Sequence, residues 1–391
     1  MAKIKNDHNT LHIMGVIQII TPKSSVLAEE PLSGTKQVIS AKDFAAEAHV
    51  PIQVYHTQIA PSVYNTIYTT LLCALENAKR YGHDVCIVTF GQPLYTKARE
   101  ILAAAPEGSD LSKIVIKLGG FHLLSSFFGE IGYIMQGCGI KEVLSLIYAP
   151  NSLDKILTGH AYARAVIAHT LLHLTLAIII SKELVIDDDM DANLQNTIED
   201  VKNNTISYND IENCDEKTNK ALLYQCNKKL KQYERRGSTE KLWIQYFHMV
   251  SIAKEFIRAE RMGDWQAHLN CVKEMIPYFH ASWHFPYAKS TYLYLQDMLL
   301  LENLIDPSVF RRFIQGFLTV RYSAKFSCGT STDMIIEESL MKSMQTDGGI
   351  SRRRSTQESV ISKRVYSMHA TNTVCERLED LGNVKMDRHN R

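Results

Sequence analysis

Residues 83–139 constrain the fold of this chain more than any other stretch, because strand and helix signals alternate twice with glycine at each changeover. Val85 to Phe90 is a short run rich in β-branched residues that stops at Gly91-Gln92-Pro93. Leu94 to Ala105 then has helical composition, ended by Pro106-Glu107-Gly108. Ile114 to Leu118 repeats the strand signal, stops at Gly119-Gly120, and yields to helical spacing from Phe121 to Met135. Two short apolar strands joined through a helix predict a parallel pair with a crossover. In such sheets the working side chains gather past the carboxyl ends of the strands. Here those places hold Gly91, Gly119, Gly120 and His122, so His122 alone brings a side chain there.

The remaining segments arrange themselves around that unit. Leu11 to Thr21 reads as a strand stopped by Pro22, followed by irregular chain with a short helix at Ala41 to Ala48. Ser62 to Tyr81 is amphipathic, with Val63, Ile67, Leu71 and Leu75 on one stripe. Residues 1–148 are therefore expected to form one α/β domain with a partly parallel sheet. Residues 149–186 are read as core helices, the longest spanning Ala161 to Leu184. Residues 187–237 are rich in acids and asparagines and poor in large apolar side chains, which predicts a solvated, flexible linker. Residues 238–318 read as a large all-helical insertion. A returning strand and an acidic helix follow over 319–347, then a basic, poorly ordered tail over 348–391.

The totals exclude some function classes. With 391 residues the chain can bury a large core, and its formal net charge of +1 gives no overall pull toward nucleic acid or membrane. Eight cysteines without regular spacing suit a reducing, intracellular compartment, nuclear or cytoplasmic. The N-terminus MAKIKNDHNT carries no apolar signal region. The apolar run Ala165 to Ile180 contains His169 and His173 and is short for a bilayer span, so it is read as a buried core helix with satisfied histidines.

Few constellations carry chemistry. Asp333 and Glu337 stand at i and i+4 on one helix face and can hold a divalent metal near a sheet end; the plainer alternative is a solvated acidic face. His280 and His284 share the same spacing, with Cys271 and His268 upstream. Two imidazoles so placed can take part in a zinc site, yet the Glu of a metalloprotease helix is missing and Pro286 threatens the helix. Packed or surface histidines are the simpler reading. Lys325 and the run Arg352, Arg353 and Arg354 are candidate phosphate contacts, or simply an exposed basic tail. The chain has no phosphate-cradling glycine loop and no nucleophile elbow.

The strings TFGQPLY, LGGFHLL, SLIYAPNSLDKILTGHAYARAV, WIQYFHMVSIAKEFIRAERMGDW, PYFHASWHFPYAKS and TDMIIEESLMK together resemble an uncharacterised family of long, transposon-associated proteins of invertebrate genomes, with distant fungal relatives. The resemblance spans most of residues 10–355. It implies an RNase-H-like transposase core, interrupted by a helical insertion before a last acidic helix. It also implies where this copy departs. Relatives carry Thr-Phe-Asp-Gln where Gly91 stands, and Arg-Ser-Asp-Lys where Tyr322-Ser323-Ala324-Lys325 stands, while the strand for the first acid would precede Met1. Only Glu337, with Asp333, matches an acidic position, and His122 matches a Phe-His element. Strand-end acids would bind two metal ions, and glycine cannot.

The resulting expectation is a degenerate, transposase-derived protein that is not catalytic and binds nucleic acid weakly and non-specifically, if at all. The alternatives are an active nuclease or strand transferase with Asp333 and Glu337 on Mg or Mn, and a helical protein-interaction scaffold built on 238–318. No membrane partner and no other cofactor are expected.

Overall fold

The computed structural model describes residues 13–17, 52–56, 63–80, 83–186, 190–203, 205–206, 214–314, 319–321 and 329–335. Helices dominate. Strand β1 (Ile13–Ile17) pairs antiparallel with β2 (Ile52–His56), a strand the sequence reading had not marked. Helix α1 (Tyr64–Arg80) leads into β3 (Cys86–Phe90), helix α2 (Gln92–Ala103), β4 (Ile114–Leu118) and helix α3 (Gly120–Ile134). As the alternating signals predict, β3 and β4 are parallel, in register from Cys86 opposite Ile114 to Phe90 opposite Leu118. Pro93 sits in the first turn of α2, where the missing N–H costs nothing.

Short helices α4 (Ile140–Ser145) and α5 (Pro150–Leu157) precede α6 (Tyr162–Lys182), α7 (Ala192–Asn203) and α8 (Glu216–Glu234). Where a flexible linker was expected over 187–237, the described residues form the last two of these helices, while 187–189, 204 and 207–213 lie outside the described residues. The segment's apolar residues are few, but Leu194 and Ile198 stand one turn apart and are buried with Leu184, which suffices to dock a helix. Asp215 caps α8 by accepting the backbone N–H of Thr218 at 2.8 Å.

Then come α9 (Ser238–Met262), α10 (Trp265–Ala281), α11 (Phe285–Leu299), α12 (Leu301–Leu304) and α13 (Pro307–Arg312). These helices are not a separate module. Tyr246, Met249, Phe256, Phe279 and Tyr294 share one continuous apolar core with Phe90, Tyr95, Leu118 and Phe127. The segment expected to return to the parallel sheet instead forms a small ribbon: β5 (Val320–Arg321) pairs antiparallel with β6 (Gly329–Thr330), just ahead of helix α14 (Thr332–Ile335). A partner so near in sequence closes a shorter loop than a return to β3 would. The expected helix at Ala41 to Ala48 and the basic tail lie outside the described residues.

Helix α6 is longer than its apolar run and, by length and composition, is the one helix among the described residues that can cross a membrane. Only one face of it joins the core, not the whole surface expected of a buried helix. On that face His169 is fully buried, 3.0 Å from the Tyr246 hydroxyl and stacked on Phe128. One turn on, His173 meets Ser251 Oγ at 2.9 Å and stacks on Phe247. Burial pushes both imidazoles down to about 4, helped at His173 by the Lys254 and His248 charges.

The sign of the pH dependence follows. A histidine whose folded pKa lies below its unfolded value of about 6.5 leaves the unfolded chain holding more protons between the two values. Stability is therefore full above about pH 6.5 and falls as pH drops toward 4. Between pH 7 and 5 each histidine is expected to remove up to about 2 kcal/mol. Urea unfolding at the two pH values measures the loss, and His173→Gln should remove roughly half of it.

Candidate functional site at the carboxyl ends of the parallel strands

Gly91 and Gly119 end the two parallel strands side by side, and the Gly119 N–H bonds to the Phe90 carbonyl at 2.9 Å. From this edge α3 departs with His122, Ser126 and Glu130 at i, i+4 and i+8, so all three lie on one helix face. That face looks onto the corner between α10 and α11.

The N-terminus of α3 has a glycine at its cap position, and glycine has no side chain with which to cap. Asp333, from far downstream, does the capping instead. Its Oδ1 accepts the Phe121 N–H at 3.1 Å, its Oδ2 the His122 N–H at 3.0 Å, and His122 Nδ1 lies 2.9 Å from the same Oδ2. The carboxylate is buried and faces the positive end of the helix dipole. Room for it exists because residue 119 is glycine: a Cβ there would stand 2.2 Å from Asp333 Oδ2. Next to it, Thr332 Oγ1 donates to Thr89 Oγ1 on β3 at 2.8 Å.

A second buried carboxylate backs this corner. Glu260, near the end of α9, accepts the Ser331 hydroxyl through Oε2, and His268 Nδ1 lies 2.7 Å from its Oε1. Burial alone would raise the Glu260 carboxyl; buried Lys117 on β4 and His268 outweigh that and hold it below the ordinary carboxylate range. The far nitrogen of His268 meets the Tyr294 hydroxyl at 3.0 Å.

Two turns along α3, buried Glu130 holds His284 through Nδ1, with Ser126 Oγ 3.3 Å from that same nitrogen. A Ser-His-acid relay needs serine and acid on opposite ring nitrogens. Both partners here share Nδ1, so the group is an anchored histidine and no nucleophilic triad. Tyr287 donates to the His122 carbonyl at 3.3 Å. Burial, together with the Asp333 and Glu130 charges, pushes its hydroxyl up to about 12, so it remains a proton donor. Gln92 Nε2 reaches Ser290 Oγ at 3.1 Å, and Arg99 grips Asp297 with two bonds of 2.7 and 3.0 Å, tying α2 to α11.

Five of the quoted strings thus meet at one place: TFGQPLY, LGGFHLL, the Glu260 end of WIQYFHMVSIAKEFIRAERMGDW, PYFHASWHFPYAKS and the start of TDMIIEESLMK. Asp333 reaches the strand ends, and a Cβ at Gly91 would lie 3.7 Å from the His122 ring, an ordinary contact. His280 and His284 do not share one helix face: a helix break separates them. Helix α10 ends at Ala281, Trp283 takes a left-handed backbone with φ of 62°, and α11 starts afresh with Pro286 in its first turn. His280 is left exposed against Phe285 while His284 turns to Glu130. Among the described residues no three His, Cys, Asp or Glu side chains form a metal-holding group. Glu337, Lys325, Arg352, Arg353 and Arg354 lie outside the described residues.

Sequence reasoning missed Glu130, Glu260 and the anchoring of His284. Glu130 did leave a signal, being the single acid within the apolar run of α3 and in phase with His122 and Ser126.

The fold and site define a helix-rich protein with a parallel strand pair whose carboxyl ends are closed by buried carboxylate–histidine contacts. Residues 36–391 match the model of a domain of unknown function, DUF8702, and the chain belongs to that family. No curated protein and no solved structure matches it.

Proposed function

We propose that this chain is a transposase-derived protein on a remnant of an RNase-H-like core, whose acidic centre has passed from catalysis to structure and which acts by binding. The commitment of Asp333 carries this reading. Three of the four lone-pair directions of its carboxylate are taken by Phe121, His122 and the His122 ring. Two-metal chemistry needs acids from separate elements to converge on ions about 4 Å apart. Gly91, at the neighbouring strand end, supplies none. Weak, non-specific contacts to nucleic-acid phosphates are assigned to Lys325, Arg352, Arg353 and Arg354, from their charge alone. A helical interaction scaffold is the second reading, though the exposed apolar stripe that favours it lies on α6 and not on residues 238–318.

The test is purified protein with supercoiled plasmid, with Mg or Mn and without. No nicking above that of a Glu337→Ala control is expected. Binding through about four phosphates should weaken roughly 100-fold between about 50 and 200 mM salt, because each contact releases counterions. Metal-dependent nicking that disappears in the control would favour an active nuclease on Asp333 and Glu337. Salt-independent binding would mean a recognition surface elsewhere.

A further inference from the structure

The core-facing side of α6 is accounted for by His169, His173 and their neighbours; its opposite side is not. There Ile167, Leu171 and Leu174 are 54%, 44% and 53% exposed, in line with half-buried Ile178. Their spacing of four, three and four residues is that of alternating d and a positions in a heptad, the seam that packs against another helix. An isolated exposed leucine needs no explanation, whereas a continuous seam of four does.

Two further features say what fits it. The order Ile-Leu-Leu-Ile reads the same in both directions about a point between Leu172 and His173. A second helix laid antiparallel across that point sets Ile167 against Ile178 and Leu171 against Leu174, which are the a-to-d layers of an antiparallel pair. Beside the middle of the seam Thr170, Thr175 and Ala177 are small and uncharged, and the nearest exposed charges, Arg164 and Lys182, stand beyond its two ends. A two-fold contact must be self-complementary, and this stripe is. Insertion of α6 into a bilayer would instead pull His169 and His173 away from Tyr246 and Ser251.

We propose that this stripe is a self-association surface, joining two copies of the chain through antiparallel α6 helices. Sedimentation of the full chain at micromolar concentration should then show a reversible dimer. Leu171→Lys or Leu174→Lys should weaken it by at least about 100-fold while leaving the circular dichroism unchanged, because both positions are exposed. For geometry, Ile167→Cys and Ile178→Cys chains, whose positions lie about 16 Å apart along the helix, are prepared separately and treated with a short bismaleimide. A mixture of the two should crosslink far more than either alone, above the background of the chain's own cysteines. A monomer up to about 100 μM would overturn the proposal, as would transfer of monomer into neutral lipid vesicles. Equal crosslinking of Ile167→Cys with itself would overturn the antiparallel pairing.

Discussion

Replacing Asp333 by alanine is expected to lower the free energy of unfolding by about 3 kcal/mol, a large effect for a side chain near the end of the described chain. The loss has identifiable parts. The N–H groups of Phe121 and His122 lose their acceptor at the start of α3. Removing a capping side chain costs up to about 2 kcal/mol, and leaving buried donors unpaired adds to that. The His122 ring loses its anchor as well. Gly119 supplies an internal control. Gly119→Ala places a methyl 2.2 Å from Asp333 Oδ2, so it should expel the carboxylate and cost nearly as much as removing it. In the Asp333→Ala background that clash is gone. The double mutant should therefore be far more stable than the sum of the single losses implies, and a urea-unfolding double-mutant cycle reads this coupling.

The second large effect lies where α3 crosses the end of α5. A Cβ at Gly132 would stand 1.9 Å from the Leu157 carbonyl oxygen and 2.8 Å from its carbon. That neighbour is backbone and cannot rotate away, so the helices must separate. Helix α3 buries Leu123, Leu124, Phe127, Phe128 and Ile131 in the main core, and separation would open it on that side. Overpacking of this kind costs about 1 to 3 kcal/mol or more, and Gly132→Ala belongs at the upper end. Gly129, one turn earlier, would bring its methyl 3.1 Å from the Thr158 carbonyl, so Gly129→Ala should cost much less. Urea midpoints for the two variants, with near-ultraviolet circular dichroism as a check on packing, test the ranking.

The parts of this structure that were legible in the sequence are local. The β-branched runs at Cys86–Phe90 and Ile114–Leu118, each stopped by glycine, announce the parallel pair because strand length, composition and turn chemistry agree within a few residues. His169 and His173 announce themselves as core groups by sitting in an apolar helix. The site was legible only in outline. Asp333 stood out as an acid, but its task depends on a contact across 212 positions, and no local pattern encodes that. For His280 and His284 the nearby Pro286 already cast doubt on a continuous helix, but the left-handed Trp283 that parts them carries no sequence signal of its own. Helix α7 was hidden because two apolar residues, Leu194 and Ile198, are enough to dock it while acids and asparagines dominate its composition.

Asp333 as a structural cap and Asp333 as a metal ligand predict opposite results in one measurement, the urea midpoint of the wild-type chain and of Asp333→Ala, each with and without about 5 mM Mn. A ligand that binds only the folded state raises stability by RT ln(1 + [L]/Kd), so a site of useful affinity shows itself as a shifted midpoint. If Asp333 belongs to α3 and His122, the variant is weaker by about 3 kcal/mol without any metal, and Mn leaves both midpoints in place. A wild-type midpoint raised by Mn, together with a variant that matches the wild type in metal-free buffer, would contradict the structural role and return Asp333 to a catalytic one.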